Sequence, residues 1–184
     1  MKKLALALAV SCGLGLGLGL PAAPAFASME TYEAKATASS AAAIARADMF
    51  AAFGDKQLKP GQYLWRDIET SGPQRVVVSL SDQMAYLYRG DQLVAAATVS
   101  SGKGDKATPT GIFTVLEKKR MHHSRKYDNA PMPFMQRIDD YGIALHAGHN
   151  PGQPASHGCV RLPKQFAEKL FGATDVGTTV LIGA

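Results

Sequence analysis

The apolar positions of this chain change rhythm three times. Residues 4–20 form a nearly unbroken apolar block, in which leucine and alanine give way to alternating glycine and leucine. From 28 to 53 the chain is rich in alanine, and Ile44, Met49, Phe50 and Phe53 recur loosely on one helical face until Gly54-Asp55 stops the pattern. From Arg75 onward the rhythm is that of strands. Arg75 to Leu80 is β-branched, Met84 to Arg89 continues it, and Gly90-Asp91 turns the chain into Gln92 to Ser100. Further strands are predicted over Ile112–Leu116, Gly142–His146 and Thr178–Ile182, with one late helix opened by Pro163 and running to Leu170. Many short strands and one late helix predict a mainly β fold, an antiparallel β-sandwich or partly open barrel, preceded by an alanine-rich helix.

The first block has a simpler reading than structure. Lys2 and Lys3 precede the apolar run, and Ala25-Phe26-Ala27 closes it with a small residue on either side of a large one. That is the form of a secretion signal cut before Ser28. The Gly/Leu alternation follows no strand, so it is not a phosphate loop. Three regions result: a signal peptide over 1–27, an alanine-rich helical segment and linker over 28–72, and a β-rich domain over 73–184.

Charge and cysteine content then narrow the function. The full chain carries 20 basic and 15 acidic side chains, a formal +5. Losing Lys2 and Lys3 would leave +3, with lysine and arginine scattered and no stripe of stacking aromatics, which argues against nucleic-acid binding. Of the two cysteines, Cys12 lies in the signal. Export would therefore leave Cys159 as a single unpaired thiol in a compartment where thiols are usually oxidised, which marks it as a candidate for chemistry.

The surroundings of Cys159 fit acyl transfer. A free thiol is only a few per cent thiolate at neutral pH, so a nucleophilic cysteine needs a base. His146, His149 and His157 are near in sequence, and His146 ends a predicted strand, a rigid support for that role. Gly158 lets backbone approach a ligand, so the amides of Gly158 and Cys159 are candidate oxyanion donors. Arg161 suits a substrate carboxylate or carbonyl. His146, His149, His157 and Cys159 are also types that zinc accepts, but their spacing is irregular and no acid accompanies a histidine, so no metal is expected.

The string Ser156-His157-Gly158-Cys159-Val160-Arg161, with His146 upstream, resembles the signature of YkuD-type L,D-transpeptidases. The resemblance extends over about Arg75 to Ile182 and includes Thr108-Pro109-Thr110-Gly111, Tyr86-Leu87-Tyr88 and Gly177-Thr178-Thr179-Val180. It implies a cysteine acyltransferase without cofactor. Cys159 would take a peptidoglycan stem tetrapeptide as a thioester, release D-alanine, and pass the acyl group to a second stem, a lipoprotein or a D-amino acid. His146 would be the base, Gly158 and Cys159 the oxyanion donors, and the Ala147 carbonyl the group that orients His146. Ser156, His157 and Arg161 would shape the substrate site. The polar stretch from Lys118 to Gln136, with Tyr127, Asn129, Met132 and Phe134, is the expected lid or substrate wall. The loop Gly148 to Ala155 is shorter than is common in the family, which leaves the acceptor open. A monomeric periplasmic enzyme is the expectation. A hydrolytic variant releasing D-alanine to water and a non-catalytic wall-binding module are the alternatives. Sortase-like and wall-endopeptidase readings are disfavoured by the order of His, Cys and Arg.

Overall fold

A computed structural model describes residues 28–184. The proposed signal segment and Cys12 lie outside the described residues. Eleven strands and two helices follow in the order β1 (Ser28–Met29), α1 (Tyr32–Phe53), β2 (Tyr63–Trp65), β3 (Gln74–Ser79), β4 (Met84–Arg89), β5 (Gln92–Thr98), β6 (Gly111–Thr114), β7 (Glu117–His123), β8 (Pro131–Arg137), β9 (Ala144–Ala147), β10 (Val160–Leu162), α2 (Lys164–Ala173) and β11 (Thr179–Gly183). Seven strands form one sheet in the order β1-β6-β11-β3-β4-β5-β2, and four form a second in the order β10-β9-β8-β7. Neither closes into a barrel. Pairing is antiparallel except for β11 on β3 and β10 on β9.

The main core lies on one face of the larger sheet. Val76, Val78, Leu87, Phe113 and Ile182 meet Leu145, Val160 and Leu162 of the smaller sheet there, with Phe166 and Leu170 of α2. Phe166 is fully buried, with Tyr63 and Trp65 of β2 packed at 6.0 and 6.2 Å between ring centres. Burying such a ring contributes on the order of 2–3 kcal/mol, which seats the short edge strand β2. Two carbonyls at the end of α2, those of Phe171 and Thr174, accept from the Lys118 ammonium, a cation at the negative end of a helix.

Helix α1 covers the opposite face of the larger sheet. Thr31 caps its start, accepting from the Ala34 N–H at 3.2 Å. The buried stripe matches the expected one only in part: Met49 and Phe53 pack against the cluster beneath the helix. Ala34, Ala38, Ala42 and Ala45 face the sheet, whereas Ile44 and Phe50 are 60% and 64% exposed. Small side chains let the helix backbone ride close to β11 and β3, and Ala38, Ala42 and Ala45 pack with Val77, Tyr86, Tyr88 and Leu181. Tyr88 donates to the Asp48 carboxylate at 2.7 Å, tying helix to sheet.

The polar stretch from Glu117 to Gln136 is a hairpin, β7 against β8. Its pattern hides the strands because β7 is an edge strand with no fully buried residue. Pro131 and Pro133 are tolerated because that part of β8 pairs only with β7. None of the described helices is long and apolar enough to cross a membrane.

Candidate active site

The smaller sheet builds the site by register. Parallel pairing sets Val160 beside Leu145 and Arg161 beside His146. Side chains alternate along strands, so Leu145, Ala147, Val160 and Leu162 enter the core while His146, Arg161 and Cys159 share the other face. That face lines a cavity of about 840 Å³, walled on its far side by the β7–β8 hairpin through His122, Tyr127 and Met132.

His146 is 7% exposed, and its Nδ1 lies 2.8 Å from the Ala147 carbonyl oxygen. A carbonyl only accepts, so Nδ1 carries the proton and Nε2 is left as the basic nitrogen. Burial pushes the imidazole pKa down to about 4; the Ala147 carbonyl opposes this, and Arg161 and His122 add to it. Burial also raises the Cys159 thiol above its ordinary range, with the Ala144 N–H pulling it back, the Asp139 charge raising it further and Arg161 lowering it. At neutral pH the resting pair is therefore a neutral imidazole and a neutral thiol. Cys159 is the free cysteine of the described chain.

The nucleophile loop is held by backbone and hydroxyl contacts. Gly158 sits at φ +117°, a conformation that favours glycine. Its N–H donates to Ser156 Oγ at 3.1 Å, and Ser156 Oγ donates to the Cys159 carbonyl. Thr108 donates to the Gly158 carbonyl at 2.7 Å and accepts from the Gly102 N–H at 2.8 Å. The Ser101 carbonyl accepts from Ala155 and Ser156, and Ser100 exchanges two backbone bonds with Arg161. Buried Gln83 fixes Ser101 from beneath, donating to its Oγ at 2.8 Å and accepting from its N–H at 2.9 Å. Asn150 pins the loop after His146 to the end of β5, donating to the Thr98 carbonyl at 2.7 Å.

The other sequence candidates divide. Tyr127, at the hairpin tip, stacks on His157 with ring centres 4.4 Å apart and planes 14° apart. Met132 is buried with Met135 and Ala144 in a small cluster against which Cys159 packs. Among the described residues no carboxylate pairs with Arg161, whose stem packs over Gly148. Two candidates lie elsewhere. Phe134 turns toward α2, its ring 6.0 Å from Phe171, because its backbone at φ +55° breaks the alternation that would otherwise put it on the cavity side with Met132. Asn129 is exposed at the hairpin tip and does not line the cavity. The Gly158 amide also departs from its expected use as an oxyanion donor, since Ser156 Oγ takes its N–H. Gln83, Asp139 and Asn150 carried no sequence signal of a place here, although Asp139 to Gly142 reads as a turn. Among the described residues no cluster of three or more His, Cys, Asp or Glu side chains is placed to hold a metal.

Comparison with known proteins identifies the architecture. Residues 73–182 match the YkuD family, the L,D-transpeptidase catalytic domain, over more than half of the chain. The chain belongs to the YkuD family. The YkuD protein of Bacillus licheniformis is 28% identical over 116 residues, 60% of this chain and 66% of that protein. An L,D-transpeptidase from Stackebrandtia nassauensis superposes with a TM-score of 0.56 at 27% identity, covering 62% of this chain and 57% of the other. One from Xylanimonas cellulosilytica superposes with a TM-score of 0.56 at 26% identity, covering 62% of each chain. This YkuD chain thus matches somewhat less than two thirds of the length of these relatives. The family match spans the site strands β9 and β10 and the hairpin wall, and it begins after α1 and β2.

Proposed function

We propose that the chain is an exported periplasmic L,D-transpeptidase acting by covalent transfer through Cys159. The observation that carries this reading is the Nδ1 contact of His146 with the Ala147 carbonyl, which leaves Nε2 as acceptor in the cavity that Cys159 also lines. The match to an L,D-transpeptidase catalytic domain supports peptidoglycan stem peptides as the substrate class, and within it we assign the stem tetrapeptide.

As Sγ attacks the carbonyl carbon of the third stem residue, its proton passes to His146 Nε2, and the carbonyl oxygen becomes an oxyanion. The Cys159 N–H is the donor for that charge, because the Gly158 N–H is engaged by Ser156. Collapse breaks the bond to D-alanine, whose amine takes the proton from Nε2, and a thioester remains. An acceptor amine then attacks the thioester carbon and gives its proton to Nε2, a new amide forms, and the displaced sulfur takes that proton back as the thiol. Arg161, beside His146 and without a carboxylate partner among the described residues, holds a substrate carboxylate or carbonyl. Tyr127, Met132 and His157 form the wall against which the stem lies. No cofactor enters these steps.

Product analysis tests this. Protein given a stem tetrapeptide and a second amine-bearing stem should release D-alanine and form a 3→3 linked dimer. Tripeptide with free D-alanine and no dimer would assign the chain to the hydrolytic alternative. An unchanged tetrapeptide would overturn the reading.

A further inference from the structure

Asp139 is 3% exposed, and among the described residues its carboxylate meets no cation. A buried carboxylate is costly unless hydrogen bonds compensate it. Here one oxygen, Oδ1, accepts from both the Tyr141 N–H at 3.0 Å and the Ile143 N–H at 2.7 Å. Both donors belong to the turn between β8 and β9, which the Ile138 N–H closes on the Ile143 carbonyl at 2.9 Å. Arg137 clamps the turn from outside by donating to the Asp139 carbonyl at 2.7 Å.

That turn touches the nucleophile loop at two points. The Gly142 carbonyl accepts from Cys159 Sγ at 3.7 Å, a sulfur hydrogen bond. The Ile143 side chain packs on Gly158, its Cδ1 2.6 Å from where a Cβ would stand. The thiol is thus seated against backbone whose conformation is set by one buried carboxylate.

We propose that Asp139 is a positioning residue for Cys159, acting through the 139–143 turn to hold the resting thiol on the Gly142 carbonyl. Its role in turnover rests on the cysteine transpeptidase reading, but the seating of the thiol does not. An Asp at this place fits the geometry because a single oxygen must receive two diverging N–H groups in a space closed to water. The amide oxygen of asparagine can do the same, whereas alanine leaves both donors unsatisfied.

The S–H stretching band of Cys159, isolated as the infrared difference between the full chain and its Cys159→Ala variant, reads the thiol's hydrogen bond without any substrate. Asp139→Ala should move the band toward that of a free thiol and lower kcat for acylation by about tenfold, with KM changed less than about twofold. Asp139→Asn should keep the band in place and restore most of kcat. An unmoved band and unchanged kcat in Asp139→Ala would overturn the proposal, and so would a band in Asp139→Asn displaced to the free-thiol position. The asparagine variant carries the test by itself should the alanine variant not fold. If the band responds as described while the wild type acylates no stem peptide, the positioning stands and the transpeptidase reading fails. Acylation by the wild type with a band indifferent to Asp139 gives the reverse.

Discussion

His146→Gln is expected to slow acylation of Cys159 by roughly 10³-fold, within the range general acid–base groups contribute. Glutamine keeps a donor near the Ala147 carbonyl but offers the thiol no basic nitrogen. The loss should be large because the resting pair is neutral. Burial disfavours both the imidazolium and the thiolate, so little pre-formed ion pair remains to attack without a base. The pH profile carries the sign. With the imidazole pKa lowered to about 4, His146 stays a competent base well below pH 6.5, and the acidic limb of kcat/KM for the wild type should fall near pH 4. In His146→Gln that limb should vanish, leaving a rate that rises with thiol ionisation at high pH. The same lowered pKa makes the folded state resist protonation. Stability from this group is present above 6.5 and lost as pH falls toward about 4. An acidic limb near 6.5 in the wild type would contradict the buried neutral imidazole.

The second large effect falls on a glycine packed against the nucleophile loop. A Cβ on Gly102 would stand 2.0 Å from the Lys106 carbonyl oxygen and 2.8 Å from both the Gly158 Cα and the Thr108 N. All three are backbone atoms, so no side chain can swing aside. Gly102→Ala should destabilise the protein by about 3 kcal/mol, at the upper end of overpacking costs. For a chain of this size that is a fall in Tm of about 10 °C, read by calorimetry. Relief must move the Lys106 carbonyl, Thr108 or Gly158, and since Thr108 holds the Gly158 carbonyl each shift disturbs the nucleophile loop, so acylation should drop by about 10²-fold even well below Tm. A stable variant with wild-type acylation would mean that the Ser100–Lys103 segment does not position the nucleophile loop.

The sequence was most legible where its chemistry is local. Cys159, His146 and Arg161 could be linked before any fold was known, since a lone thiol needs a base and the strand ending on His146 gives that base a support. The β3–β4–β5 meander was equally readable, because Gly90-Asp91 sits between two strand-like runs. Other features depended on pairing partners that sequence does not name. The β7–β8 hairpin was obscured because one face lines a polar cavity while the other sets Lys118, Phe134 and Gln136 against the end of α2, so apolar and polar positions do not alternate. The α1 stripe was legible only in part: Met49 and Phe53 pack against the sheet, but Ile44 and Phe50 lie outside, and most of the contact face is built from alanines that let backbone approach backbone. The expected site wall included Phe134 because an aromatic in a lid suggests a substrate contact, but its backbone at φ +55° turns it to Phe171. Asp139 and Gln83 were silent because an acid and an amide gain meaning only from what they are buried beside.

Intact-mass spectrometry of the protein mixed with a stem tetrapeptide tests covalent catalysis at Cys159 most directly. The wild type should gain the mass of the tetrapeptide less D-alanine, located on Cys159 by fragmentation, and Cys159→Ala should gain nothing. No adduct on the wild type while D-alanine is released, or the same adduct on Cys159→Ala, would contradict acyl transfer through this thiol.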